Sequence, residues 1–182
     1  MIRNTYIVKS GDSLWKIAST YQVGLQELIS ANPQISNPNL IYVGQQINIP
    51  SKNGYVSMEE EIINLVNQER KKNNLNPLIK NWQLSRTARI KSEDMATNNY
   101  FSHTSPTYGS PFKMLTDFNI KYQAAAENIA YGQTSAEEVM NSWMNSSGHR
   151  ANILNPNYNQ IGVGVARNNK GVYYFTQQFI KN

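Results

Sequence analysis

Apolar residues recur with two different rhythms along the chain, separating a short front part from a longer rear part. Tyr6 to Val8 is a brief aromatic and β-branched run that predicts a strand. Gly11-Asp12-Ser13 predicts a turn, with Asp12 or Ser13 placed to cap a helix beginning at Leu14. Leu14, Ile17, Ala18 and Tyr21 then recur at helical spacing until Gly24 interrupts them. Leu25, Leu28 and Ile29 predict a second helix, stopped near Asn32-Pro33. A loop through Asn37-Pro38-Asn39 leads to a strand over residues 46–49, ended by Pro50. The front part therefore reads strand, helix, helix, strand. At roughly fifty residues it lies near the lower limit for a core that stands alone, so nearly every apolar side chain is needed inside. Trp15 is divided between two roles, packing in that core or offering a ring face to a sugar.

In the rear part, Ser57-Met58-Glu59-Glu60 has the form of a capping box. Ile62, Ile63 and Val66 predict a helix running to about Asn73, and Pro77 forbids its continuation. Leu84, Ala88, Ile90 and Met95 predict another. Residues 99–111 read as loop, followed by a short helix from Pro111 to Phe118 with proline in its first turn. Ala124 to Tyr131 reads as irregular or strand. Ser135 to Glu138 forms a second capping box, and Val139, Met140, Trp143 and Met144 form a core-facing stripe. Ser147-Gly148 is expected to end that helix. Ile161 to Val165 and Val172 to Phe179 read as strands joined by a hairpin at residues 168–171. Helices first and strands last predict an α+β layered fold. The polar stretch 51–57 is expected to link a unit at residues 1–50 to one at 58–182.

Composition narrows the possibilities. The chain has 40% apolar and 16% charged residues, as a folded globular protein does. Asn (25) and Gln (12) are abundant, and the absence of Cys rules out disulfides as a support for either unit. No apolar run approaches 18 residues, so no membrane-spanning helix is expected. The first residues lack the apolar core of a secretory signal, which predicts either a trimmed leader or delivery without one. A net charge of +5 is mild. The strongest basic run, Arg70-Lys71-Lys72, follows Glu59-Glu60-Glu61 along one helix and complements its dipole. Nucleic-acid binding is therefore not expected.

The candidate chemistry sits in three residues. His103 and His149 are the only histidines, both in loop or helix-end settings. Glu127 is an acid in a nearly apolar segment, AAAENIA, where a carboxylate is either paired or functional. Two imidazoles and a carboxylate suit a divalent metal, or an acid/base pair with an orienting acid. Their spacing matches no short metal motif, and on spacing alone two unrelated loop histidines beside a structural Glu that bonds backbone amides is the favoured reading. Ser146, His149 and Glu127 also suggest a Ser-His-acid set, but the sequence around Ser146 shows no strained elbow or oxyanion hole. Arg150 would suit a carboxylate on a wall peptide.

Two resemblances sharpen these readings. YIVKSGDSLWKIA, the Asn-Pro loop and VGQQINIP together resemble a LysM module over residues 4–50. This implies two helices on a two-stranded sheet and binding of N-acetylglucosamine-containing glycans, peptidoglycan or chitin. The implied groove takes Gly11, Asp12, Ser13 and Leu14 from one loop and Asn39, Leu40 and Ile41 from the other. FSHTSP, AENIA, the Trp143 helix, SSGHRANILNPNYNQIGVGVA and YYFTQQF resemble the bacterial branch of the CAP superfamily (cysteine-rich secretory proteins, antigen 5 and pathogenesis-related 1 proteins) over residues 58–182. This implies an α-β-α sandwich whose cleft holds paired histidines, at His103 and His149, and an acid at Glu127. The family's second acid falls on Ser146, which departs from the pattern and weakens a two-carboxylate mechanism. Some relatives bind zinc through the paired histidines and others bind lipids, so zinc or another divalent metal at His103 and His149 is an expectation of the resemblance. The whole implies a glycan-anchored binding protein, with a wall hydrolase using His103, Glu127, Ser146 and His149, or a lipid carrier, as alternatives. A LysM module this close to the N-terminus resembles spore coat assembly proteins of endospore formers, which implies a spore coat, cortex or cell-wall setting with coat proteins as partners.

Overall fold

The front strands find each other. β1 (Asn4–Ile7) pairs antiparallel with β2 (Gln46–Ile49), placing Tyr6 opposite Ile47. Between them lie α1 (Leu14–Tyr21) and α2 (Leu25–Ser30). Ser13, not Asp12, caps α1: its Oγ accepts from Lys16 N at 3.2 Å. Gly24 opens α2, where Glu27 reaches back to its N–H at 2.9 Å. Val8, Leu14, Ile17, Leu28, Ile47 and Ile49 form the core. Trp15 is not part of it, at 66% exposure. One buried polar side chain joins the elements. Asn32 Nδ2 donates to Leu28 O and Asn48 O, both at 2.8 Å, and Asn32 Oδ1 accepts from Asn48 N at 2.7 Å.

This computed structural model describes residues 4–50 and 55–182, so residues 51–54 of the expected linker lie outside the described residues. Contacts divide the chain into Met1–Gly54 and Tyr55–Asn182. The second unit opens with α3 (Val56–Lys72), two residues earlier than the capping box predicts. Tyr55 holds the N-cap position, and Ser57 lies inside the first turn. There follow β3 (Ile79–Lys80), α4 (Trp82–Asn98), α5 (Pro111–Asp117), β4 (Ala124–Tyr131), α6 (Ala136–Met144), α7 (Ser147–Ile153), β5 (Gln160–Arg167) and β6 (Tyr173–Lys181). Ser147-Gly148 begins α7 instead of ending α6, because Ser146 adopts an extended backbone between them. At α6, Ser135 does cap, but Glu138 reaches one residue further back, to Thr134 N.

The strands form one sheet in the order β3-β5-β6-β4, with β3 parallel to β5 and the other pairs antiparallel. Its two faces are built differently. On one, Ile161, Val163, Val165, Phe175 and Phe179 pack against Ile62 and Val66 of α3 and Val139 and Trp143 of α6. On the other, Gly162 and Gly164 leave the backbone bare, and α4 lies directly on it. A Cβ on Gly164 would stand 2.0 Å from Arg89 N, and one on Gly162 would stand 2.3 Å from Leu84 C. Ser92 Oγ donates to Gly164 O at 2.9 Å, securing the close approach. α5 adds Leu115 to Leu84 and Ile180 on this face. Helices thus cover both faces, giving the α-β-α sandwich. No helix among the described residues is long and apolar enough to cross a membrane.

Candidate functional site

In the first unit, antiparallel pairing continues past the strand ends, with Val8 N donating to Gln45 O and Gly44 N to Val8 O, both at 2.9 Å. This sets the loop after β1 beside the loop before β2. Gly11 takes the positive φ (+84°) that the first turn needs. Asp12 is fixed within the turn: Lys9 N and Tyr6 OH both donate to its Oδ2, at 2.8 and 2.7 Å. Those two bonds hold its carboxyl below the ordinary range. Ser13 is occupied as the cap. Leu14 is only 2% exposed, so its side chain is core and can offer only backbone to a ligand. On the facing loop, Asn39 and Leu40 are exposed, while Ile41 is half-buried against the core. Tyr42 and Val43, not singled out from the sequence, are also exposed there. An apolar run in a loop without periodicity was the available signal.

In the second unit, β4 supplies Glu127 and the loop after α4 supplies His103. Nδ1 of His103 lies 3.0 Å from Oε1 of Glu127. A carboxylate accepts, so Nδ1 of His103 carries the shared proton and Nε2 is the ring's other nitrogen. The other carboxylate oxygen accepts from Gln178 Nε2 at 3.0 Å, across the β4–β6 pair. Gln178 Oε1 is buried there with no hydrogen-bond partner among the described residues.

The His103 loop is held from beneath by two buried charged residues that the sequence pattern did not single out. Lys91 Nζ donates to Ser102 O at 2.7 Å and to Tyr100 OH at 3.0 Å. Burial lowers the Lys91 pKa, with Glu127 and Asp94 opposing that shift. Asp94 accepts from Ser105 Oγ (2.6 Å), Thr107 Oγ1 (2.7 Å), Asn98 Nδ2 (2.7 Å) and Tyr100 OH. Burial alone would raise the Asp94 carboxyl, but these donors outweigh it and hold it low. Tyr100 is pushed well above the ordinary phenol range by burial and by Asp94. The signal was present: Lys91 shares the helix face of Leu84, Ala88 and Met95, where a solvated charge has no place.

α7 carries His149 and is tied to β4 through Asn128. Asn128 Nδ2 donates to His149 O and to Gln177 Oε1, both at 3.1 Å, and Asn152 Nδ2 donates to Asn128 Oδ1 at 2.8 Å. His149 is half-buried. Burial first, and the charge of His103 second, lower its pKa, so the ring is neutral near pH 7. The two histidines are therefore electrostatic neighbours. Ser146 is not joined to them: among the described residues no hydrogen bond links it to His149, and Glu127 orients His103 instead. Nor do three or more His, Asp or Glu side chains gather as a metal-holding group among the described residues. Arg150 is exposed. A cavity of about 450 Å³ lies elsewhere, on α3 and the segment after it, lined by Asn64, Asn67, Gln68, Lys71, Leu75 and Pro77 and by no imidazole or carboxylate.

Comparison with known proteins matches each unit to a family. The cysteine-rich secretory protein family (CAP) model matches residues 63–179, and the LysM domain model matches residues 6–50. The Bacillus subtilis protein YkwD is 53% identical over 122 residues, covering 67% of this chain and 46% of its own length. The spore coat assembly protein ExsA of Bacillus cereus is 44% identical over 54 residues, 30% of this chain and 8% of its own. Among solved structures, an extracellular protein containing an SCP domain from Bacillus anthracis superposes with a TM-score of 0.66 at 32% identity, covering 76% of this chain and 47% of that one. The chain thus spans less than half the length of each of these relatives.

Proposed function

The chain belongs to the cysteine-rich secretory protein (CAP) family and carries a LysM domain ahead of the CAP domain, and from that premise we propose that it is a glycan-anchored binding protein of the bacterial wall or spore coat. The LysM domain holds the N-acetylglucosamine-containing polymer, peptidoglycan in the first instance. The CAP domain presents the His103–Glu127–His149 cleft to a ligand beside that polymer. The observation that carries this reading is the pairing of Val8 with Gly44 and Gln45, which brings the two loops together at their bases, with Asn39, Leu40, Tyr42 and Val43 exposed on the second. Backbone donors and acceptors in such turns suit acetamido groups, and Leu40 offers an apolar edge to a methyl group. ExsA, whose name places it in spore coat assembly, supports the coat setting through its likeness to the LysM segment, and coat proteins are the corresponding partners.

Titrating the full chain with a soluble N-acetylglucosamine tetramer tests this. Saturable binding is expected, and Leu40→Asp is expected to weaken it at least about tenfold by setting a charge against the sugar. A titration without saturation overturns the reading.

A second reading is favoured by one contact. Glu127 holds Nδ1 of His103, the outer-shell arrangement that leaves a histidine's other nitrogen for a metal. His103 and His149 then offer zinc or another divalent cation two nitrogens, fewer than the three protein ligands usual at catalytic zinc sites, so the fit is to a weak, open site. Zinc titration followed at the two imidazoles tests it; rings that do not respond to zinc retire it.

A further inference from the structure

Phe101 and Tyr131 stand out among the exposed rings of the second unit. Phe101 is 46% exposed and Tyr131 is 52% exposed, yet their centroids lie 4.6 Å apart. Phe112 is also exposed, but no ring contact among the described residues joins it to a second exposed ring. Scattered single apolar residues are ordinary on a surface, whereas adjoining exposed rings make a contiguous apolar area that a ligand can use.

The position of the pair is specific. Tyr131 lies four residues after Glu127 on β4, so both project from the same face, about 13 Å apart along the strand. Phe101 lies two residues before His103. The 101–103 loop therefore runs beside β4 with two points of contact, Phe101 on Tyr131 and His103 on Glu127. Lys91 fixes the loop between them by its bond to Ser102 O. Beneath, Tyr131 stacks on buried Tyr174, with centroids 5.8 Å apart and planes 22° apart. The rings are thus fixed before any ligand arrives, which spares the ordering cost of binding.

We propose that Phe101 and Tyr131 form a ring-stacking subsite of the CAP-domain cleft, and that its occupant is the N-acetylglucosamine-containing glycan held by the LysM domain. This rests on the glycan reading of the first unit. The chemistry fits a sugar chain: aromatic faces pack against the C–H face of a pyranose, and an imidazole with a neighbouring carboxylate serves hydroxyl and acetamido groups. An aliphatic ligand would have no use for the polar half of this line. Tethering lets a weak second contact act, because the LysM domain raises the local concentration of the polymer.

The test is a titration of the isotope-labelled full chain with a soluble N-acetylglucosamine tetramer, read at individual backbone amides. Two sets of signals are expected to move, one around Gly11 and Leu40 and a weaker one around Phe101, His103 and Tyr131. Replacing both rings, Phe101→Ala with Tyr131→Ala, is expected to weaken the second set about tenfold and leave the first unchanged, whereas Tyr131→Phe keeps both. The same spectra report whether each variant is folded. Movement confined to the first set overturns the subsite and leaves the LysM reading standing. A second set indifferent to loss of the rings also overturns it. No movement in either set overturns both.

Discussion

Asn32 in the first unit and Asn128 in the second are both fully buried, and each ties a helix to a strand. Their partners differ. Asn32 holds α2 to β2 through main-chain atoms of Leu28 and Asn48, and so acts as a stretch of backbone that closes a small βααβ unit, with Gln34 Nε2 also donating to its Oδ1 at 3.0 Å. Asn128 bonds to the Gln177 and Asn152 side chains and to one carbonyl, that of His149. The same contrast runs through the two sites. The first is a surface of turns whose polar groups are settled by neighbours: Asp12 by Lys9 and Tyr6, Ser13 by Lys16. The second is a line of side chains brought from distant segments and supported by buried charge. A turn surface held together by main-chain and local bonds is expected to tolerate loss of one side chain. A side-chain network does not.

The largest expected effect breaks the layer that positions the second site. Gly164→Val places atoms against the α4 backbone, where a Cβ alone would meet Arg89 N at 2.0 Å. A loss of roughly 3 kcal/mol or more is expected in the unfolding of the second unit, with the first unit's transition unmoved. Denaturant unfolding followed by amide signals from each unit measures both.

Asn32→Ala comes next. It strands two carbonyls and one N–H inside the small unit, for about 2 kcal/mol or more. Because so short a unit has little stability in reserve, the expected outcome is loss of glycan binding together with loss of amide protection in residues 4–50. Asn128→Ala is expected to cost about 1–2 kcal/mol and to sharpen the contrast, since α7 loosens while the sheet stays intact. Hydrogen exchange should rise in Ser147–Ile153 and hardly at all in Gln160–Arg167.

The smallest effect is that of pH. Burial and His103 lower the pKa of His149 from its ordinary 6.5, so the unfolded chain takes up the proton first as pH falls. Its contribution to stability is complete above pH 6.5 and is lost as pH drops through the lowered folded value. His149→Gln is expected to flatten that part of the stability–pH profile of the second unit. An unchanged slope would contradict the half-buried neutral ring.

The contrast also explains how much of the molecule is legible in its residues alone. In the first unit, turn residues, caps and apolar spacing act over a few positions, so β1, α1, α2 and β2 follow from local rules. The long elements of the second unit do too. What escapes is decided by long-range contact. β3 is two exposed residues that become a strand only by lying parallel to β5. Ser57 and Ser147-Gly148 carry end signals that the chain does not use as such: α3 is capped two residues earlier, at Tyr55, and Ser147-Gly148 starts α7 instead of ending α6. His103 and Glu127 can be picked as candidates by composition, but nothing local shows that Glu127 orients His103 in preference to His149. Lys91 and Asp94 are visible only as charges on an apolar helix face, and their task becomes clear once Ser102 and Ser105 are seen above them.

Co-sedimentation of the full chain with purified peptidoglycan tests the central claim most directly. The account expects the protein to pellet with the polymer and to be released by excess soluble N-acetylglucosamine tetramer, with Leu40→Asp leaving most of it in the supernatant. A chain that stays in solution, or one that pellets unaffected by both competitor and substitution, would contradict it.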